Sequence, residues 1–257
     1  MNAGKGSMIE PPSGLPIHYR GPPLEKGLRP ALFYFATSAE ESLSLAPINL
    51  PAASLADTPI RVYSSTLPLH GPGLNTIEGM ERWAEALQNN PDLIKNFIEK
   101  CRQNLNFLID RGYVDPEKIA VAGLSRGSFI ATLLAAEDPG ISIVLGYAPL
   151  INLEALEEFH ALRDHPVMSS LSLSHRIEKL IHKKLRFYIG NRDQRVGTET
   201  CYRFTQQVVD AAFRQGIRSP HVELMISPSI GRHGHGTSPD IFLEGIIWLK
   251  KMLLDHS

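Results

Sequence analysis

Short apolar segments alternate with amphipathic segments along most of the chain. Six segments rich in apolar and β-branched residues predict strands at 31–37, 60–69, 118–123, 141–150, 185–191 and 221–227. Apolar residues at helical spacing predict helices at 75–90, 91–112, 126–138, 198–216 and 239–256, the first two being either separate helices or one broken helix. Apolar strands that alternate with helices are typical of a parallel sheet covered on both faces. The pattern therefore predicts an α/β fold with a mostly parallel, doubly wound sheet.

One long connection interrupts this alternation. Residues 151–184 separate two predicted strands, whereas a simple connection in such a fold has about 2–6 residues. Two weak helical patterns, at 153–159 and 177–181, are compatible with a crossover helix followed by a surface loop, and equally with a small helical lid over a site. The histidines of this segment share no helical ligand spacing, so we expect them to be solvated: His160, His165, His175 and His182.

Length and composition indicate one domain. With 257 residues, of which 43% are hydrophobic, the chain can bury one large core without disulfides or metals. Residues 1–29 are rich in proline and glycine and lack the apolar stretch of a signal peptide, so we expect an extended N-terminal arm followed by a domain at 30–257. No stretch has the apolar length of a membrane span. We therefore expect a soluble, cytoplasmic protein.

Charge and cysteine content exclude several kinds of site. The 26 basic and 27 acidic residues are spread along the chain without a basic stripe, so nucleic acid is not an expected partner. The only cysteines, Cys101 and Cys201, lie far apart in the sequence and form no Cys-x-x-Cys pair. We therefore expect a reducing compartment, in which both are ordinary cysteines on helices. The spacing also argues against a thiolate metal site.

A serine lies between a predicted strand and a predicted helix, in the sequence Gly123-Leu124-Ser125-Arg126-Gly127. A serine on a tight strand-to-helix turn needs a strained backbone and neighbours without side chains, and its hydroxyl then stands free as a nucleophile. The helix that follows directs its free N–H groups toward the serine, and the N–H of Arg126 can stabilise an oxyanion. The alternative is a plain glycine-rich turn.

A nucleophilic serine needs a histidine and an acid, and the later strand ends supply both. Asp193 follows the strand at 185–191, where it could instead be a turn residue that caps the next helix. His233 and His235 follow the last strand, within Gly-Arg-His-Gly-His-Gly, and Ser238 and Pro239 begin the final helix. The order serine, acid, histidine is that of one of the folds that carry this triad.

These residues and motifs resemble those of the α/β-hydrolase superfamily, most closely its dienelactone-hydrolase and prolyl-oligopeptidase-like esterase branch. Segments 112–128, 189–197 and 234–249 are similar, in the same order, to the nucleophile, acid and histidine segments there. The resemblance implies the α/β-hydrolase fold and a triad of Ser125, Asp193 and His235, with His233 lining the loop. With 257 residues, we expect no propeller domain like that of the oligopeptidases and therefore no gated peptidase.

The resemblance also implies a second oxyanion donor from the turn after the first strand of the domain. That turn reads Ala-Thr-Ser-Ala without the usual His-Gly, so the backbone N–H of Ser38 is the expected donor and that of Thr37 the alternative. The segment Leu-Pro-Leu-His-Gly-Pro-Gly follows the next strand, and His70 within it is expected to be structural. Ser128 stands where many relatives have a second glycine.

The sequence thus predicts a serine hydrolase that cleaves a carboxylic ester of a small molecule through an acyl-enzyme, with no cofactor. A binding or scaffold protein with the same fold but no chemistry is the first alternative, and an acyl-peptide or thioester hydrolase is the second. A metallohydrolase that uses His233, His235 and Asp193 is a third, although no further ligands cluster nearby. The substrate and the oligomeric state are left open.

Overall fold

A sheet of eight strands forms the centre of the computed structural model, which describes residues 7–255. In chain order its strands are β1 (Ser7–Ile9), β2 (Ile17–Arg20), β3 (Arg29–Phe35), β4 (Arg61–Ser64), β5 (Val114–Leu124), β6 (Ile143–Tyr147), β7 (Lys184–Gly190) and β8 (Val222–Ser227). They are arranged in the order β1-β2-β4-β3-β5-β6-β7-β8, with β3 to β8 parallel and β1 and β2 antiparallel to their neighbours. The predicted α/β fold with a mostly parallel sheet is confirmed.

Helices cover both faces of this sheet. They are α1 (Ala39–Ser44), α2 (Leu50–Ala53), α3 (Gly79–Asn89), α4 (Leu93–Asp110), α5 (Arg126–Glu137), α6 (Pro166–Leu171), α7 (Thr198–Arg214) and α8 (Pro239–Leu254). One apolar core joins the sheet to α3, α4, α5 and α7, and a second core on the opposite face joins it to α1, α2 and α8. Cys101 and Cys201 are buried and unpaired in α4 and α7, as expected of ordinary helix cysteines.

The parallel strands bring their carboxyl ends to one edge of the sheet. The register pairs Phe35 of β3 with Gly123 of β5, and Gly190 of β7 with Ser227 of β8. The segments that leave β3, β5, β7 and β8 therefore emerge side by side. They are the segments that carry the residues predicted to react.

The described part of the N-terminal region, residues 7–29, contributes two short strands to the sheet. β1 and β2 form an antiparallel pair, and β2 pairs with β4, so the described part of the 1–29 arm continues the sheet of the main domain. Arg61 on β4 has a fully buried side chain that donates hydrogen bonds to the carbonyls of Pro22, Pro23 and Gly27 and to that of Tyr113. Residues 1–6 of the arm and 256–257 of the domain lie outside the described residues.

Residues 151–184 form short 3-10 helices and α6. The apolar side chains of this segment are buried and belong to the same core as α4, α5 and α7. The segment includes Leu153, Leu156, Phe159, Leu162, Val167, Met168, Leu171, Leu173, Leu180 and Ile181, all less than 5% exposed. These contacts favour a crossover segment packed into the core over a separate flap. A role for this segment as a lid stays a prediction.

Three short helices, α1, α2 and α6, were not predicted. α1 and α2 follow β3 directly and pack on the face that also holds α8. Ser38 and Glu41 form a capping box at the start of α1, with the Ser38 side chain accepting from the Glu41 N–H.

Among residues 7–255, no helix combines the length and the apolar character that a membrane crossing requires.

Candidate active site

Ser125 lies on a strained turn between β5 and α5. Its φ is 53° and its ψ is −115°, a backbone conformation that non-glycine residues rarely adopt. A Cβ on Gly127 would lie 1.9 Å from the Phe35 carbonyl oxygen, and one on Gly123 would lie 2.2 Å from the carbonyl carbon of Gly127. Glycine is therefore required on both sides of the serine for α5 to approach β5 and β3 this closely.

Ser128 occupies the next place along α5, where the resemblance led us to expect glycine. Its side chain is fully buried against β6, and a Cβ on Gly146 would lie 2.4 Å from the Ser128 Oγ. The extra volume on the helix is accommodated by a glycine on the strand. The close packing of α5 on the sheet is thus retained.

Three side chains from different strand ends form a hydrogen-bonded chain. The His235 Nε2 lies 2.9 Å from the Ser125 Oγ, and the His235 Nδ1 lies 2.7 Å from Asp193 Oδ2. The Asp193 side chain has no exposed surface, whereas the His235 side chain is 21% exposed. Asp193 Oδ1 accepts hydrogen bonds from the backbone N–H groups of Arg195 and Val196, at 2.9 and 3.0 Å. These donors fix the carboxylate so that its other oxygen faces the imidazole.

The loops that carry Asp193 and His235 are joined by backbone contacts. The Gln194 N–H donates to the His233 carbonyl at 2.9 Å, and a Cβ on Gly234 would lie 2.1 Å from the Arg192 carbonyl oxygen. After the histidine loop, the Ser238 side chain accepts from the Ile241 N–H and begins α8 with Pro239, as predicted. The two loops therefore hold the acid and the histidine in one fixed arrangement.

The His233 side chain is not part of the hydrogen-bonded chain of Ser125, His235 and Asp193. Its Nε2 accepts from the Arg232 side chain at 3.2 Å, and the residue lines a separate surface depression with Arg192 and Ser229. Only His235 of the two is hydrogen-bonded to Asp193 and Ser125. Within residues 7–255 no group of three or more His, Cys, Asp or Glu side chains is arranged to hold a metal ion.

The candidate oxyanion donors differ in their surroundings. The Arg126 N–H belongs to the first turn of α5, where a helix N–H has no intrahelical acceptor. The Ser38 N–H lies 3.4 Å from the Glu41 carboxylate, and Ser38 is not part of the cleft beside Ser125. Thr37 does line that cleft, with its N–H 3.3 Å from the Ser42 Oγ. Thr37 therefore has the better position of the two for a second donor.

A cleft of about 400 Å³ opens beside the serine. Most of its walls come from the segment after β3, the loop before α2, the turn that carries Ser125 and the loop that carries His235. Its lining residues are Ala36, Thr37, Pro47, Ile48, Thr76, Leu124, Ser125, Arg126, Ala148, Ile230, His235, Gly236, Thr237 and Phe242. The wall formed by Pro47 and Ile48 was not found from the sequence. The one signal nearby is the Ser-x-x-Glu capping signature of Ser38 and Glu41, which marks the start of α1.

His70, which is buried, and Arg126, which is half-buried, are hydrogen-bonded at the edge of this cleft. The Arg126 Nη1 donates to the His70 Nε2 at 2.8 Å and to the Thr76 carbonyl at 2.9 Å, while the His70 Nδ1 lies 2.8 Å from the Pro68 carbonyl. Burial, before all other causes, lowers the pKa of His70 to about 4. The imidazole is therefore neutral at neutral pH, and it acts as a structural acceptor, as the sequence led us to expect.

Comparison with known proteins rests on structure. No protein-family model matches the chain, and no curated protein matches it in sequence. TT1662 from Thermus thermophilus is similar to it with 20% identity and a TM-score of 0.71, over 98% of this chain and 99% of that one. A Klebsiella pneumoniae protein assigned to the dienelactone hydrolases shows 13% identity and a TM-score of 0.71, over 97% and 100%. The chain has an α/β-hydrolase fold.

Longer proteins of this fold match as well. Dipeptidyl peptidase 4 of Porphyromonas gingivalis is 14% identical with a TM-score of 0.67, and the match covers 95% of this chain but 35% of the peptidase. The chain thus spans about a third of the peptidases that it matches and the whole of the smaller proteins. The α/β-hydrolase fold inferred from three short motifs is confirmed.

Proposed function

We propose that the protein is a serine hydrolase that cleaves a carboxylic ester of a small molecule through an acyl-enzyme. The observation that carries the proposal is the hydrogen-bonded chain from Ser125 through His235 to Asp193, at the edge of an open cleft. The α/β-hydrolase fold adds support, because it presents these three positions at neighbouring strand ends in the matching chain order.

Each of the three side chains has one role. Ser125 attacks the ester carbonyl while His235 accepts its proton at Nε2, which is already 2.9 Å from the Oγ. His235 then returns that proton to the leaving alcohol, and an acyl-enzyme remains. Water attacks the acyl-enzyme with the same base. Asp193 holds the imidazole with the proton on Nδ1 and stabilises the imidazolium that forms, since its carboxylate lies 2.7 Å away.

The oxyanion of the tetrahedral intermediate needs two donors. The Arg126 N–H is the first, because it follows the nucleophile at the start of α5. The Thr37 N–H is the second, in place of Ser38, whose N–H faces Glu41. Thr37 must then exchange the long contact to Ser42 for the oxyanion. Each donor is worth about 3–4 kcal/mol in the transition state.

Covalent labelling with a fluorophosphonate probe tests the nucleophile. The wild type should take up one label at Ser125, and the Ser125→Ala variant should take up none. If neither protein is labelled and no ester is hydrolysed, the protein binds small molecules without chemistry. The engaged N–H groups of Thr37 and Ser38 are the observation that would favour this second function. A ligand-induced rise in thermal stability without turnover would support it.

The two neighbouring histidines provide a matched pair of variants. We expect His235→Ala to lower kcat/KM for a chromogenic ester by about 10⁴-fold or more, since the general base is removed. We expect His233→Ala to change it less than about fivefold, because the His233 ring is hydrogen-bonded to Arg232, whereas Asp193 and Ser125 are hydrogen-bonded to His235. Equal losses in both variants would contradict the assignment. Loss of activity on chelation would point instead to the metallohydrolase alternative.

A further inference from the structure

We propose that the cleft beside Ser125 selects esters that also carry a carboxylate, and that the Arg126 guanidinium binds this carboxylate. The inference rests on the proposed function, since it names the class of ester that the same site would hydrolyse. It is drawn from the arrangement of Arg126, Thr76 and His70 and from the charges around them.

The Arg126 side chain lies in the wall of the cleft. Its Nη1 is 2.9 Å from the Thr76 carbonyl, and Thr76 and Arg126 both line the cleft together with Ser125. The same Nη1 donates to His70, so both of its N–H groups are used. The remaining atoms, Nε and Nη2, have no described acceptor within residues 7–255 and are not among the fully buried polar atoms. They are open to a ligand.

No carboxylate among residues 7–255 forms an ion pair with Arg126. Within the part of the chain that the structure describes, no Asp or Glu oxygen lies within 4 Å of the Arg126 guanidinium. The one acidic group that acts electrostatically on Arg126 among the described residues, Glu158, is bound by both terminal nitrogens of Arg195. Arg82, another cation nearby, is paired with Glu78. Arg126 is half-buried, and cations withdrawn from water are normally paired, so it lacks an ion-pair partner that an anionic ligand can supply.

The guanidinium is also held in place before a ligand arrives. His70 is neutral, with its Nδ1 at the Pro68 carbonyl and its Nε2 facing Arg126. Gly79, at the start of α3, leaves the space for this pair, because a Cβ there would lie 2.6 Å from the Arg126 Nη1 and 2.3 Å from the His70 Nε2. Burial lowers the pKa of Arg126 to about 10, so the group stays positively charged at neutral pH. Such preorganisation reduces the cost of binding.

A carboxylate fits the open side of this group. The Nε and Nη2 of arginine form the planar fork that binds both oxygens of a carboxylate. The other cleft walls, which include Pro47, Ile48, Ile230 and Phe242, are apolar and suit a short hydrocarbon chain. The combination describes an ester of a dicarboxylic acid with one free carboxylate, or an ester whose alcohol bears one.

The test compares matched esters that differ in charge. On the acyl side the pair is 4-nitrophenyl hydrogen adipate and 4-nitrophenyl hexanoate, and on the alcohol side it is 4-carboxyphenyl acetate and its methyl ester. Each rate is corrected for spontaneous hydrolysis. We expect the wild type to favour the anionic member of at least one pair by tenfold or more in kcat/KM, mainly through KM. In Arg126→Gln that ratio should fall at least tenfold, and Arg126→Lys should lie between.

Two further variants distinguish carboxylate binding by Arg126 from a general effect of positive charge near the cleft. Arg82→Gln removes a neighbouring cation and should leave the ratio within twofold of the wild type. Gly79→Ala keeps the guanidinium but displaces it, and should lower the ratio. If the neutral esters are hydrolysed but no anionic ester is preferred, or if Arg82→Gln and Arg126→Gln lower the ratio equally, the subsite is overturned and the hydrolase proposal stands.

Binding decides the subsite if no ester is hydrolysed. Calorimetric titration of the Ser125→Ala protein with hexanoate and with hexanamide needs no turnover. We expect hexanoate to bind at least tenfold more tightly, and Arg126→Gln in the same background to remove the difference. Equal affinities for the two ligands would overturn the subsite whatever the outcome for the hydrolase.

Discussion

His70 has a neutral imidazole whose charge state is set by its surroundings. Burial is the main cause of the lowered pKa, which the Pro68 carbonyl partly offsets. The neighbouring cations Arg126 and Arg82 lower the pKa further, and Glu41 raises it. Because the folded protein resists protonation of this ring, a proton binds more readily to the unfolded chain.

This difference predicts a pH-dependent stability. An unfolded histidine has a pKa of about 6.5, and that of folded His70 is about 4. Its contribution is complete above pH ~6.5 and is lost as the pH falls through ~4, by up to roughly 3 kcal/mol. Urea unfolding between pH 7 and pH 4 should therefore show a smaller loss of stability in His70→Gln than in the wild type. Parallel pH profiles for the two proteins would contradict the assignment.

The sequence was sufficient for the three residues of the proposed triad because each follows a predicted strand. Strand ends of a parallel sheet meet at one edge, so order along the chain translates into proximity. The sequence was not sufficient to predict the contact between His70 and Arg126. It also could not decide whether Thr37 or Ser38 is the second oxyanion donor. These depend on how a turn after β4 meets the first turn of α5, and on a side chain of α1, Ser42, that takes up a backbone N–H.

At the scale of elements, α5 and β6 are matched at one contact. The Ser128 Oγ is buried and has no hydrogen-bond partner among the described residues. Ser128→Ala should therefore raise the free energy of unfolding by about 1 kcal/mol, since it removes an unsatisfied hydroxyl and introduces a better helix former. Thr132→Val is the control, because the Thr132 hydroxyl donates to the Ser128 carbonyl and its loss should not stabilise. Chemical denaturation measures both.

Gly146 completes this test. Gly146→Ala should destabilise by about 1–3 kcal/mol through overpacking against Ser128 and Phe187. Combining it with Ser128→Ala should recover part of the loss, and the Phe187 contact should retain the rest. Strict additivity of the two substitutions would contradict the direct contact between the two elements.

The sequence predicted the longer elements and missed the shorter ones. α4, α7 and α8 have a clear apolar periodicity, and these helices were predicted from it. α1 and α2 have six and four residues, too few for a periodic pattern to appear. β1 and β2 were expected as an arm because strands of three and four residues among proline and glycine lack a continuous apolar run.

At the scale of the whole molecule, Arg61 ties the N-terminal region to the sheet. Its guanidinium satisfies four carbonyls and has no exposed surface. Arg61→Met should lower the free energy of unfolding by roughly 3–5 kcal/mol, because the buried carbonyls lose their donor. Arg29→Met is the control, since among residues 7–255 the Arg29 side chain donates to the carbonyl of its neighbour Leu28 alone, and it should change stability by less than about 0.5 kcal/mol. A loss below about 1 kcal/mol in Arg61→Met would contradict this role.

The close contact of Gly123 and Gly127 with the backbone has a consequence for how such sequences are searched. Both glycines are demanded by the distance between β3, β5 and α5, whether or not any reaction takes place. A catalytically inactive descendant would have to retain them, and it would be free to exchange the serine for a residue that tolerates a positive φ at lower cost. In the motif Gly-x-Ser-x-Gly, the glycines therefore report the close packing of strand and helix, and only the serine reports selection for chemistry.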